Sequence, residues 1–96
     1  MNKNLREKVR MSDAEIDEFI EEQKSLQVAT LNGDGSIHLS TLWFAVVDQK
    51  IVFETYTSSQ KIVNLKRDSR ITVLLEDGLD YNNLRGVMIK GTSILA

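Results

Sequence analysis

From Ser36 to Val47 the chain reads SIHLSTLWFAVV, and its side chains alternate with a period of two. That period predicts one long β-strand. Ile37, Leu39, Thr41, Trp43, Ala45 and Val47 fall on one face, and Ser36, His38, Ser40, Leu42, Phe44 and Val46 on the other. The second face is polar in its first half and apolar in its second. Such a strand, buried on both sides, is expected to line a site or a subunit contact. Leu26 to Leu31, LQVATL, predicts a shorter strand before it, and Asn32-Gly33-Asp34-Gly35 is a strong turn signal between the two. Asp48-Gln49-Lys50 reads as a hairpin connection, followed by a strand over Ile51 to Thr57. Arg70 to Leu75 is a β-branched strand, Glu76 to Asn83 a loop, and Leu84 to Leu95 a last strand. Gly86 and Gly91 inside that last strand suggest bulges or a close approach by a ligand or backbone.

Two segments carry the helical period instead. Ser12 and Glu15 fit an S-x-x-E capping box, and Met11 is placed to staple onto Ile16. Ile16, Phe19 and Ile20 form a narrow apolar stripe, with Asp13, Asp17, Glu18, Glu21 and Glu22 outside it. The second helix follows Ser58 or Ser59 as N-cap. Ile62, Val63 and Leu65 are expected to pack it on the sheet, while Lys66 and Arg67 suit its C-terminal end. The order is helix, three strands, helix, two strands, with tight turns that imply antiparallel pairing. A mainly β chain with helices, forming a small antiparallel barrel, fits this order. We expect one domain over residues 1–96, with residues 1–11 as a polar arm. GVMIKGTSILA is still strand-like at Ala96, so a neighbouring chain or further sequence is expected to complete the sheet.

Composition narrows the function classes. A net charge of −2 argues against a nucleic-acid surface built on bulk positive charge. Absence of cysteine excludes a disulfide, a zinc–thiolate site and a thiol nucleophile, and a single histidine disfavours a conventional metal site. No apolar run approaches the roughly 20 residues of a membrane span. The residues MNKNLREKVR contain no apolar core of a secretory signal, so the expected location is cytoplasmic.

Candidate chemistry concentrates in TYTSSQKIVNLKRDSRITV, from Thr55 to Val73. Whichever serine caps the second helix, Lys61 falls in its first turn, and no acidic residue shares that turn. A cation there normally costs about 0.3–1 kcal/mol against the helix dipole. The placement makes sense if an anion sits beside it. Free amides, serine hydroxyls and a lysine at one helix start form a phosphate cradle. The plain alternative is a lysine that faces water. Arg70 and Arg85 are expected to pair on the surface with Glu76, Asp77 or Asp80.

The ordered set LQVATLNGDGSIHLSTLWF, IVFETYTSSQKIVNL, KRDSRITVLLED and YNNLRGVMIKGTSIL resembles the pyridoxamine 5′-phosphate oxidase-like family, the flavin-binding split barrels. The resemblance covers nearly the whole chain. It implies a split β-barrel that forms a homodimer and binds FMN or the deazaflavin coenzyme F420 between subunits. By that resemblance the phosphate is gripped at Ser58, Ser59, Gln60 and Lys61, with Thr55 nearby. His38, Leu39, Ser40, Thr41 and Trp43 match the segment that contacts the ring and ribityl parts. This sequence has Gln60 where the oxidases proper carry Arg, and Glu54 beside Thr55. These departures point away from pyridoxamine phosphate oxidation and toward the branch that uses deazaflavin or FMN.

The leading expectation is therefore an FMN- or F420-dependent oxidoreductase acting on a small-molecule substrate, with no nucleic-acid or membrane partner. In such a protein the cofactor carries the hydride chemistry, and no catalytic side chain is singled out. The alternatives are a non-catalytic flavin-binding protein and a degenerate, structural split barrel.

Overall fold

The computed structural model describes residues 11–95. Helix α1 spans Asp13–Glu22 and begins with the expected capping box. Ser12 Oγ accepts from the Glu15 amide at 3.2 Å, and the Glu15 carboxylate accepts from the Ser12 amide at 3.3 Å. Strand β1 (Ser25–Leu31) pairs antiparallel with β2 (Ile37–Trp43) across the Asn32–Gly35 turn. Asp34 holds that turn by accepting from the Ser36 amide and hydroxyl at 2.9 and 2.6 Å. Strands β3 (Ala45–Val47) and β4 (Lys50–Val52) form a separate hairpin. Its connection, Asp48-Gln49, has φ of 50° and 64°. Positive φ at both central positions is the turn that matches strand twist.

Helix α2 covers Gln60–Arg67 with Ser59 as its N-cap. Strand β5 (Arg70–Asp77), a 3₁₀ turn at Tyr81–Asn83 and strand β6 (Arg85–Thr92) complete the chain. The larger sheet runs β2-β1-β5-β6, all antiparallel. The sheets do not close on themselves, which makes this a split barrel.

Opposite residues in an antiparallel ladder share a face. Leu26, Val28 and Thr30 of β1 therefore share the inner face with Leu42, Ser40 and His38 of β2 and with Val73 and Leu75 of β5. Phe19 of α1 joins Leu26, Val28, Val73 and Leu75 in the core. Leu42, Phe44, Ile51 and Phe53 pack around it.

Several expectations are corrected. The long strand over Ser36 to Val47 divides at Phe44, where the partner changes: Ile37–Trp43 pair with β1, whereas Ala45–Val47 pair with β4. The strand expected over Ile51 to Thr57 stops at Val52, because its partner β3 has only three residues. β2 is not buried on both faces: Ile37, Leu39 and Trp43 are 67%, 65% and 79% exposed. No bulge forms at Gly86 or Gly91, which pair in register with Glu76 and Ile71. Val63 faces outward, leaving Leu65 as the buried apolar residue of α2. The polar arm, apart from Met11, lies outside the described residues. Met11 packs against the core.

Candidate functional site

The chain leaves β4 at Val52 and reaches α2 through the segment 53–59. Ser59 Oγ accepts from the Ile62 amide at 3.4 Å, and the Ser59 amide donates to the Tyr56 carbonyl at 3.0 Å. These contacts fix the helix start. Lys61 lies in the first turn, half-buried, with Nζ 3.5 Å from Thr55 Oγ1. Thr55 Oγ1 in turn lies 3.4 Å from Ser59 Oγ. One ammonium and two hydroxyls thus converge where the backbone amides of Gln60 and Lys61 have no intrahelical acceptor. No acidic side chain stands in that turn, and Glu54 is exposed. Ser58 is exposed beside the cap.

Gln60 behaves differently from its neighbours. Its Nε2 donates to Asn64 Oδ1 at 2.8 Å, so its amide is drawn along the helix rather than into the cluster. Asn64 is fully buried. Its Nδ2 donates to Thr30 Oγ1 at 3.0 Å and to Asn32 Oδ1 at 2.9 Å, and its Oδ1 also accepts from Arg67 at 3.2 Å. Arg67 donates as well to the Leu31 carbonyl. α2 is therefore bonded to both β1 and the β1–β2 turn. Sequence reasoning missed Asn64. Gln60, Asn64 and Arg67 recur at i, i+4 and i+7 and share one helix stripe. Three polar residues on a stripe read as its wet side; Gln60 and Arg67 are indeed exposed, but Asn64 between them is buried against the sheet.

The expected residues on β2 divide between two faces. His38 and Ser40 point inward, toward the side that α2 covers, opposite Thr30 and Val28. His38 Nδ1 and Ser40 Oγ are both shielded from solvent and have no hydrogen-bond partner among the described residues. Buried polar atoms are nearly always satisfied, so two adjacent orphans on one strand face call for a ligand or ordered water. Leu39, Thr41 and Trp43 point outward, away from the α2 cluster. Their side chains cannot line the same surface of one protomer as His38 and Ser40. Ile37, Leu39 and Trp43 leave exposed apolar side chains along β2, and Met88 of β6, 60% exposed, lies on the same outer face three strands away.

At the far side of the inner face, Arg85 ties α1 to the sheet. Its guanidinium lies 4.9 Å from the Phe19 ring centroid and pairs with Asp77 at 2.5 Å and Glu22 at 3.3 Å. Donation from Arg85 holds the Asp77 carboxyl below the usual range, and Gln23 adds a second donor. Arg70 pairs with Asp68 rather than with the β5–β6 loop, and its hydrogen bonds pull the Asp68 carboxyl down to about 2. Both arginines are thus engaged on the surface. The shallow polar cup beside Arg85, lined by Asp77, Gly78 and Asn82 to Arg85, holds no free charge of one sign.

With this geometry in place, the chain belongs to the pyridoxamine 5′-phosphate oxidase-like family: the family profile described as pyridoxamine 5′-phosphate oxidase matches residues 12–95. It is similar to a solved structure, that of the conserved hypothetical protein Rv2991 from Mycobacterium tuberculosis, with 47% identity and a TM-score of 0.83. The match covers 86% of this chain and 52% of that one, so the chain spans about half the length of that protein. No curated protein matches it. Among the described residues, no helix is long and apolar enough to cross a membrane.

Proposed function

We propose that this chain is an FMN- or F420-binding oxidoreductase of the pyridoxamine 5′-phosphate oxidase-like family, cytoplasmic and acting on a small molecule. The observation that carries the reading is the convergence of Lys61, Ser59 and Thr55 at the start of α2, with no acidic residue in that turn. His38 Nδ1 and Ser40 Oγ, orphaned on the same side of the sheet, are the second support. The donor set fits a phosphorylated flavin: a cation and hydroxyls suit the phosphate, and the two β2 groups suit the polar atoms of ribityl or ring. A bound flavin or deazaflavin supplies the hydride chemistry. The residues of this chain bind and orient it. Lys61 and Ser59 fix the phosphate end, and His38 and Ser40 supply polar contacts along β2.

The apolar outer face belongs to this reading as well. Ile37, Leu39 and Trp43 present exposed apolar side chains in a row along β2, and we assign that edge to a second copy of the chain. A homodimer seated there brings Leu39, Thr41 and Trp43 to the subunit boundary. Trp43→Lys is expected to shift a dimer to a monomer in sedimentation velocity. A native chain that sediments as a monomer at high concentration would sink this assignment.

The direct test is the absorption spectrum of purified protein before and after addition of FMN and then F420, followed by gel filtration. Bands that persist identify the cofactor. Loss of both leaves the alternative of a structural split barrel. That alternative draws on Gln60, whose side chain is committed to Asn64 instead of the cluster. Turnover of the loaded protein with a reductant and an acceptor separates an enzyme from a flavin carrier.

A further inference from the structure

Helix α2 is held in an unusual way. It has eight residues, and Leu65 is its buried apolar anchor. Leu65 and the half-buried Ile62 make non-directional apolar contacts, which set the rotation of the helix about its axis only loosely. The second buried residue is Asn64, and its amide is fully committed. It gives two hydrogen bonds, to Thr30 Oγ1 and Asn32 Oδ1, and accepts two, from Gln60 and Arg67. An amide at this depth loses its water, and an apolar residue of the same size would pack there with less desolvation. What the amide adds is direction: its two bonds to Thr30 and Asn32 set the orientation of α2 on β1 and the turn after it, while the bonds from Gln60 and Arg67 hold the amide within the helix.

That orientation bears on the cluster at the helix start. Gln60 carries the network into the first turn, next to Ser59 and Lys61. Thr30, which Asn64 grips, is the ladder partner of His38. One side chain thus sets the helix start against the strand that presents the two orphaned polar atoms.

We propose that Asn64 is a positioning residue for anion recognition: through Thr30, Asn32 and Gln60 it fixes the start of α2 relative to β2, so that Lys61 and Ser59 meet the phosphate of a molecule that also lies along His38 and Ser40. This rests on the cofactor reading given above. Asn64 itself is fully buried, so it acts through the residues it bonds.

The test compares phosphorylated and unphosphorylated chromophores by fluorescence titration: FMN against riboflavin, and F420 against its phosphate-free deazaflavin chromophore. The wild-type chain is expected to prefer the phosphorylated member. In Asn64→Leu the preference is expected to fall by at least about tenfold, the scale of one lost charge-assisted contact, while riboflavin affinity stays within about threefold. Thr30→Val removes one acceptor at constant shape and is expected to move the ratio the same way by less. If Asn64→Leu does not fold, Thr30→Val and Asn64→Asp decide by the same ratio. A merely structural Asn64 lowers the unfolding midpoint and leaves the ratio unchanged. Folded variants that keep the wild-type ratio, or that lose both chromophores equally, overturn the positioning role alone. A wild-type chain with no preference for phosphate overturns the cofactor reading and the positioning role together.

Discussion

The two helices start alike and differ in what their first turns carry. Ser12 and Ser59 both cap through a hydroxyl that accepts from the amide three residues on. α1 then places Asp13 and Glu15 in its first turn, and Glu15 closes the box on the cap. Its positive end is answered from within the chain. α2 places Lys61 there and no acid. Its positive end is left unanswered and made more positive. α1 buries Phe19 under Arg85 and serves the core, whereas α2 buries the Asn64 amide and presents a cation. An identical cap therefore says little about role. The charge of the first turn and the chemistry of the buried stripe separate a helix that closes a fold from one that offers a site.

The largest expected effect lies on the α1 side. Phe19 is 1% exposed, and Phe19→Ala is expected to cost about 3–5 kcal/mol of unfolding free energy. Phosphate preference per folded molecule should hold. Urea denaturation and titration of the folded fraction give the two numbers. A parallel loss of phosphate preference would show that the two helices are not separable.

Lys61 reverses that pattern. Lys61→Ala is expected to weaken the phosphorylated chromophore by about 1.5–3 kcal/mol and to change stability by less than about 0.5 kcal/mol. Lys61→Glu sharpens the contrast, because it gives α2 the acidic first turn that α1 already has. It should stabilise the fold by about 0.3–1 kcal/mol while abolishing anion binding. A stabilised variant that still binds FMN as the wild type does would remove Lys61 from the site.

The caps offer a matched pair. Ser12→Ala and Ser59→Ala should each cost about 0.5–2 kcal/mol of stability. Only the second should also weaken phosphate binding, since Ser59 Oγ stands beside Thr55 and Lys61. Equal binding losses from both would mean that capping alone acts, through helix fraying.

Much of this contrast was legible in the sequence, for local reasons. Capping chemistry, turn chemistry and first-turn charge are set by neighbours along the chain, so both helix starts and the Asn32–Gly35 turn followed directly. What escaped depends on contacts distant in sequence. The break at Phe44 follows from a change of partner from β1 to β4, and alternation continues smoothly through it. The burial of Asn64 needs Thr30 and Asn32, which lie more than thirty positions away. Ile37, Leu39 and Trp43 read as buried because they are apolar at strand spacing, yet nothing among the described residues covers them. Periodicity reports which residues share a face and is silent on what lies against it. The candidate site was legible as a set of residues but not as a surface, since His38 and Ser40 stand back to back with Leu39, Thr41 and Trp43.

The smallest effect concerns acid. Each helix has a paired carboxylate on an adjoining element: Asp77 meets Arg85 at the α1 clamp, and Asp68, the C-cap of α2, meets Arg70. Both carboxyls are held below their ordinary value by these hydrogen bonds, Asp68 to about 2. A lowered folded-state value means that the unfolded chain takes up protons first as pH falls. The stability these pairs supply is therefore complete above the ordinary carboxylate value, near 4, and is lost on acidification toward 2. Solvent screens both pairs, so the change is small. It is measurable as a difference: Asp68→Asn and Asp77→Asn should be less stable than wild type at pH 6, and each gap should close as pH falls. The Asp68 gap should close last, near pH 2, because its carboxyl is held lowest. A gap of constant size from pH 6 to 2 would show that the carboxylates act by shape rather than by charge. The α1 clamp and the α2 cap would then both be ordinary packing, and charge would distinguish the two helices only in their first turns.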